Sequence, residues 1–311
     1  MAETSGGLAA PRGGVIVTGG GGGIGAEVAR RFASAGYGVV VSDRGVTVAG
    51  DDPAPDAANL VTEQIRDAGG RAVAHHGSVS EFAVGEELVE LATSEFGRLD
   101  GLVTCHGILR ERMIFNMSEE EWDSVIDVHL KGTFNCVRFA TARMRTQRAG
   151  SIVTMTSASG LEGSPAQANY AAAKAGIVGL TASTALAMGR YGVNVNCISP
   201  AANTRMTARI SARTTNTRPA AERGNPGLIA DVALALSDPR AREVTGQVLT
   251  VTEQRLARWV PTHEQENITF DAEPGLDDVV DAVRNRLGVA PLRRFAALGL
   301  DLPAAVANGT N

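Results

Sequence analysis

Long apolar runs, basic clusters, paired cysteines and aromatic residues are all scarce in this chain of 311 residues. No uninterrupted stretch of about 18 apolar residues occurs, which argues against a membrane span. The formal net charge is −5 and no long basic run appears, so nucleic acid is not an expected partner. The three cysteines, Cys105, Cys136 and Cys197, are odd in number and far apart. That is the pattern of reduced thiols in a cytoplasmic protein rather than of a disulfide framework. The five histidines show no metal spacing: His75 and His76 are adjacent and cannot chelate from one helix face, so no metal site is expected. The first residues lack the charged start and apolar middle of a signal peptide, and 1–12 reads as a disordered tail.

Glycine, by contrast, is plentiful, and an apolar fraction of 44% against 20% charged suits a sizeable buried core. Residues 14–18, GVIVT, are a short β-branched run that stops at Gly19, the mark of a buried strand. GGGGGIG follows, then AEVARRFASAG with apolar residues at helical spacing, then YGVVVSD closing at Asp43. The alternation continues with helices expected at 57–69, 81–96, 118–148, 167–189 and 227–237. Strands are expected at RAVAHH, LDGLVTC, SIVTMTS, VNVNCIS and 246–251. The long helix opens on the cap signal Ser118-Glu119-Glu120-Glu121. Strands separated by helices predict an α/β fold, a doubly wound parallel sheet of the Rossmann type, over residues 13–251. Residues 252–311, with Trp259 and a plausible helix at 276–287, are too few for an independent domain and read as an extension packed on the main body.

Two stretches break the rhythm. Residues 44–56 form an insertion rich in Gly, Pro and Asp. Residues 203–226 are polar and carry Arg205, Arg209, Arg213 and Arg218; following a strand's C-terminal end, they read either as a lid or as a solvated loop.

In T-G-x-x-x-G-x-G, Gly19, Gly23 and Gly25 surround Ile24 between a strand and a helix. Glycine permits the tight turn and lets a pyrophosphate reach the helix N-terminus, so the motif reads as a dinucleotide site. Asp43 would take the adenosine ribose hydroxyls and repel a 2′-phosphate, favouring NAD, while Arg44 next to it could hold that phosphate and admit NADP. The stretch Ser157–Lys174 then supplies acid/base chemistry. Tyr170 and Lys174 are four apart, on one helix face, and Ser157 lies thirteen residues upstream. A neighbouring cation is expected to lower a phenol pKa from its usual value of roughly 10. Taken alone, Y-x-x-x-K also fits an alanine-rich helix that carries both residues by chance.

Together TGGGGGIG, the Ser157–Tyr170–Lys174 set and Pro200 resemble the short-chain dehydrogenase/reductase family over residues 13 to about 251. HGILRERM at 106–113, DVHLKGTF at 127–134, AQANYAAAK at 166–174, PAANTRMT at 200–207 and the insertion after Asp43 resemble its (3R)-hydroxyacyl-CoA dehydrogenase subgroup. The resemblance implies Tyr170 as general acid/base, Lys174 on the nicotinamide ribose, Ser157 on the substrate oxygen, Thr204 on the carboxamide and Pro200 shaping its loop. Ser78 and Val79 would stand beside the adenine, with Ser78 where an acid is common, and His106 and Gly107 along the adenosine wall. His129 stands where the family usually has asparagine, either holding a relay water or filling space. The implied substrate is a small molecule, a 3-hydroxyacyl-CoA; a sterol, polyketide or other secondary alcohol is the alternative, and a silent nucleotide sensor the remote one. The resemblance also implies a homodimer or homotetramer built on helices 118–148 and 167–189.

Overall fold

A computed structural model describes residues 12–51, 56–202, 226–260, 268–269 and 275–283. Eight strands form one sheet in the order β3-β2-β1-β4-β5-β6-β7-β8. They are β1 (Gly14–Thr18), β2 (Gly38–Ser42), β3 (Arg71–His75), β4 (Leu99–Thr104), β5 (Gly150–Met155), β6 (Val193–Pro200), β7 (Val248–Val251) and β8 (Leu256–Arg258). The first seven run parallel, and only the β7–β8 pair is antiparallel. Fully buried runs such as Val15-Ile16-Val17 and Val39-Val40-Val41 explain why. A strand covered on both faces is apolar throughout, and parallel strands are covered by their own crossover helices.

One face is covered by α1 (Gly23–Ser34), α2 (Asp56–Asp67) and α8 (Gly227–Leu236), whose Phe32, Ile65 and Ile229 pack on Val17 and Val41 in one apolar cluster. The other carries α3 (Phe82–Phe96), α5 (Gly132–Gln147) and α7 (Ala168–Met188), where Leu88, Met144 and Met188 join Ile16, Val40 and Ile152. Each such side chain taken from water contributes about 1.5–3 kcal/mol.

The stretch expected as one helix over 118–148 is interrupted. α4 (Glu119–Ile126) starts from the capping box of Ser118 and Glu121, but Asp127–Lys131 make a π turn before α5 begins. Such a turn widens the helix by one residue, an insertion that sequence periodicity does not register. The sheet also runs past residue 251. β8 adds to its edge, and Trp259 donates from its ring nitrogen to Thr250 Oγ1 at 2.7 Å. The first compact unit therefore ends at Trp259 rather than at 251; the second, Val260–Asn311, has α9 (Leu276–Asp281) among its described residues. The stretch Ala168–Tyr191 has a span's length and mean hydropathy. In the fold it packs on β6, with Lys174 and Thr181 among its buried residues.

Strand order reverses between β1 and β4, whose last residues, Thr18 and Thr104, face each other in register. In open α/β sheets the crevice beyond such a reversal is where ligands bind.

Candidate active site

Above that crevice lies a cavity of about 420 Å³. Its first wall is the turn from β1 into α1. Gly19 sits at φ +66°, and an added Cβ would lie 2.6 Å from the His106 nitrogen. A Cβ on Gly25 would collide with the Gly19 carbonyl, and one on Gly21 would lie 2.9 Å from Asp43 Cγ. Helix α1 has no side-chain cap on its first turn and no acid there, so its free N–H groups face the cavity end uncompensated. A cradle that only glycine leaves open, at a bare helix N-terminus, fits the pyrophosphate of a dinucleotide.

Asp43, at the end of β2, is held by two backbone donors: Gly21 N–H to Oδ2 at 2.9 Å and Gly45 N–H to Oδ1 at 2.7 Å. Each oxygen keeps a free lone pair. Arg44 also borders the cavity but is exposed. Ser78 and Val79 line the same end; Ser78 Oγ is engaged by Ser80 Oγ at 2.8 Å and the Val79 carbonyl accepts from Asn135.

The other wall is built of side chains. Ser157 caps α6 (Ala158–Glu162), accepting the Ser159 N–H at 3.2 Å, and its hydroxyl faces the Tyr170 phenol, where it partly offsets burial. Lys174 Nζ donates to the Met155 carbonyl at 2.7 Å and lies 5.7 Å from the Tyr170 ring centre. Burial outweighs everything else on both groups: it pushes the phenol up and brings the Lys174 ammonium down to about 8. The expected lowering of the phenol by Lys174 is thus not what the geometry gives, since the amine points at a backbone carbonyl. Asn169, fully buried, positions the tyrosine by accepting its N–H at 2.8 Å and donating to the carbonyls of Arg110 and Glu121.

His106 and His129 occupy the floor. His106 Nδ1 meets Thr18 Oγ1 at 2.6 Å and Nε2 approaches Thr133 Oγ1 at 3.4 Å, so the ring ties the end of β1 to α5. Burial, then the Lys174 charge, depress it to about 3, leaving it neutral. His129, in the π turn, is 1% exposed and well below its ordinary pKa, again chiefly through burial.

Gly19, Gly23, Ile24, Gly25, Asp43, Ser78, Val79, His106, Gly107, His129, Tyr170, Lys174 and Pro200 all line this one cavity, and Ser157, outside its lining, acts on Tyr170. Thr204 and residues 203–225 lie outside the described residues, as do 1–11 of the tail, 52–55 of the insertion and the helix expected beyond 283. The rest of the insertion has a place that its composition did not announce. Val46, Thr47, Val48 and Gly50 line the cavity, tied to the segment after β4 by Leu109 N–H to the Val48 carbonyl, 2.8 Å, and Arg110 to Asp51, 2.7 Å.

Residues 14–215 match the family model described as short chain dehydrogenase. The chain belongs to that family. It is therefore an oxidoreductase acting on CH–OH groups of a small molecule with a nicotinamide cofactor. A Mycobacterium tuberculosis hydroxyacyl-CoA dehydrogenase, ChsB1, is 40% identical over 269 residues, 82% of each chain. A yeast peroxisomal hydratase-dehydrogenase-epimerase is 45% identical over 196 residues. Those cover 63% of this chain but 22% of that protein, so this chain spans about a fifth of its length. A short chain dehydrogenase from Mycobacterium avium superposes with a TM-score of 0.77 at 39% identity, covering 90% of this chain and 95% of that one.

Proposed function

We propose that this dehydrogenase interconverts a 3-hydroxyacyl-CoA and its 3-oxoacyl counterpart with NAD. The observation that carries the reading is the placement of Tyr170, beside Lys174 and facing Ser157, in the same cavity as the Asp43 carboxylate. Relatives named hydroxyacyl-CoA dehydrogenase and 3-oxoacyl-[acyl-carrier-protein] reductase support the acyl substrate. A nicotinamide held here supplies hydride exchange at the carbinol carbon. The protein's part is the proton. In oxidation Tyr170 phenolate takes the hydroxyl proton as the carbon gives up its hydride. In reduction the phenol returns it to the forming alkoxide. Ser157 holds the substrate oxygen against the phenol and partly offsets the effect of burial on it, and Lys174 would hold the nicotinamide ribose. Because burial keeps the phenol protonated, reduction should dominate at neutral pH and oxidation should gain as pH rises.

NAD rather than NADP follows from Asp43. Its carboxylate, fixed by Gly21 and Gly45, would stand against a 2′-phosphate of like charge. Phe134 and Leu186, large and exposed on α5 and α7, support association through those helices as a dimer or tetramer, which light scattering reads directly. Three free thiols suit a cytoplasmic setting.

The test is a panel of short-, medium- and long-chain 3-hydroxyacyl-CoA thioesters, acyl carrier protein thioesters, sterols and free secondary alcohols. Each is offered with NAD and with NADP and followed by absorbance of the reduced cofactor. Turnover of CoA thioesters with NAD is expected. No turnover of any 3-hydroxyacyl-CoA overturns the substrate reading, and equal rates with NADP overturn the role of Asp43.

A further inference from the structure

The insertion after β2 and the tyrosine both line the cavity, and a series of contacts joins them through Ile108. It starts at Asp43, whose Oδ1 accepts the Gly45 N–H. The insertion then turns on itself: Gly50 N–H donates to the Thr47 carbonyl and Thr47 N–H to the Asp51 carbonyl, both at 2.9 Å. The turn is fastened to the segment after β4 through Val48–Leu109 and Asp51–Arg110. Gly50, at φ +88°, lies against Ile108, so that even a methyl group there would come 3.3 Å from the isoleucine side chain.

Ile108 is the hinge of the series. Its carbonyl and its N–H both meet His129 Nε2, at 2.8 and 3.1 Å. Whichever tautomer is present, that nitrogen has a backbone partner. The imidazole in turn presents itself to Tyr170 nearly perpendicular, at 83° with 5.0 Å between ring centres, a directional aromatic contact. Gly107 leaves the space the ring needs, since a Cβ there would collide with His129 Cε1. Among the described residues His129 Nδ1 is buried and has no hydrogen-bond partner. The ring is therefore held at one edge by Ile108 and is otherwise committed to packing against the tyrosine.

We propose that His129 is a positioning residue that sets the Tyr170 ring from the Ile108 backbone, so that the phenol's orientation follows the strap formed by residues 44–51. A group that merely filled space beneath the cavity would affect stability alone. A group that aims the phenol affects kcat while leaving the cofactor's own contacts alone. The inference rests on the reading of Tyr170 as the acid/base.

The experiment compares Tyr170→Phe, His129→Gln, Gly50→Ala and the His129→Gln/Gly50→Ala pair. Turnover is measured on the best 3-hydroxyacyl-CoA of the panel, and NADH binding by nicotinamide fluorescence. Glutamine can still give and take the two Ile108 hydrogen bonds but has no ring to set against Tyr170. His129→Gln should lose about tenfold or more in kcat with its NADH Kd within about twofold of the parent. Gly50→Ala, which presses on Ile108, should lower kcat by about threefold in the parent and not at all in the His129→Gln background, where the series is already cut. A His129→Gln enzyme with parental kcat overturns the inference, and so do effects of the two substitutions that simply multiply. Should His129→Gln lose NADH binding, His129→Asn carries the same kcat criterion. Tyr170→Phe separates the two levels. If it turns over like the parent, the reading of the site fails; if it is inactive while His129→Gln is unimpaired, only the role of His129 does.

Discussion

At the Asp43 end of the cavity the wall is backbone, kept open by Gly19, Gly21 and Gly25, whereas at the Tyr170 end it is side chain, with Lys174, His129 and Asn169 buried there. The two ends solve different problems. Binding a dinucleotide's phosphates needs N–H groups and room, and both come from leaving side chains out. Moving a proton needs titratable groups away from bulk water, where burial alone shifts their pKa values. The backbone end should therefore fail by steric intrusion and the side-chain end by loss of a functional group or by a change of charge.

The largest break is expected at the side-chain end. Tyr170→Phe removes one oxygen and leaves the ring packed on His129. If Tyr170 is the acid/base, kcat should fall by about 10²–10⁴ with NADH affinity unchanged, read by steady-state turnover and fluorescence titration. The converse belongs to the backbone end. Gly25→Ala drives a methyl group into the Gly19 carbonyl. Displacing that turn costs about 1–3 kcal/mol, so the NADH Kd should rise by about tenfold or more, while saturating cofactor restores much of kcat. Parental affinity in Gly25→Ala would mean that the cradle is not where the pyrophosphate lies.

The difference between the ends also decides what could be read in advance. The glycine spacing and the acid at Asp43 are legible because a backbone site is local: strand, turn and helix are consecutive in the chain. Ser157, Tyr170 and Lys174 are legible because two share a helix face and the third lies just beyond the preceding strand. His106 could be placed beside the cofactor but not explained, since its partners Thr18 and Thr133 are 88 and 27 residues away. The π turn at Asp127–Lys131 left no trace in the apolar pattern, and so 118–148 read as one helix. β8 is three residues long and its pairing with β7 rests on a local turn and Trp259, too short a signal for any period. The strap stands out in the sequence by its composition alone; its fastening to Leu109 and Arg110 is a long-range contact that only the fold supplies.

Acid should reach the side-chain end before the backbone end. His106 is held near 3 in the fold against about 6.5 when unfolded, so between those values the unfolded chain binds the extra proton. Stability from this group is complete above about pH 6.5 and is lost as pH falls, by about 1–2 kcal/mol at pH 5. His129 acts in the same direction. Lys174, depressed to about 8, has the opposite window: its burial cost is present at neutrality and relieved as pH rises from 8 toward its ordinary value. Urea unfolding at pH 7 and pH 5 reads the first effect, and His106→Asn should flatten it. An identical slope in that variant would assign the acid sensitivity elsewhere.

The smallest effect expected is at a point where the side-chain end has a backbone problem of its own. Ala166, in the turn leading to Tyr170, has φ +58°, a conformation in which its Cβ is crowded. The turn is kept because the Ala166 carbonyl accepts the Arg112 N–H at 2.8 Å and Gln167 behind it is fixed by Ser159 and Glu111. The left-handed conformation costs an alanine roughly 1–2 kcal/mol, while glycine gives back about 0.5–1 kcal/mol through its freer unfolded chain. Ala166→Gly should therefore stabilise by about 0.5–1 kcal/mol, a rise of about 1–3 °C in Tm, without changing kcat. A lower Tm would mean that the methyl group contributes more by packing than its backbone conformation costs. A changed kcat would mean that the turn, and not Asn169 alone, sets the height of the tyrosine.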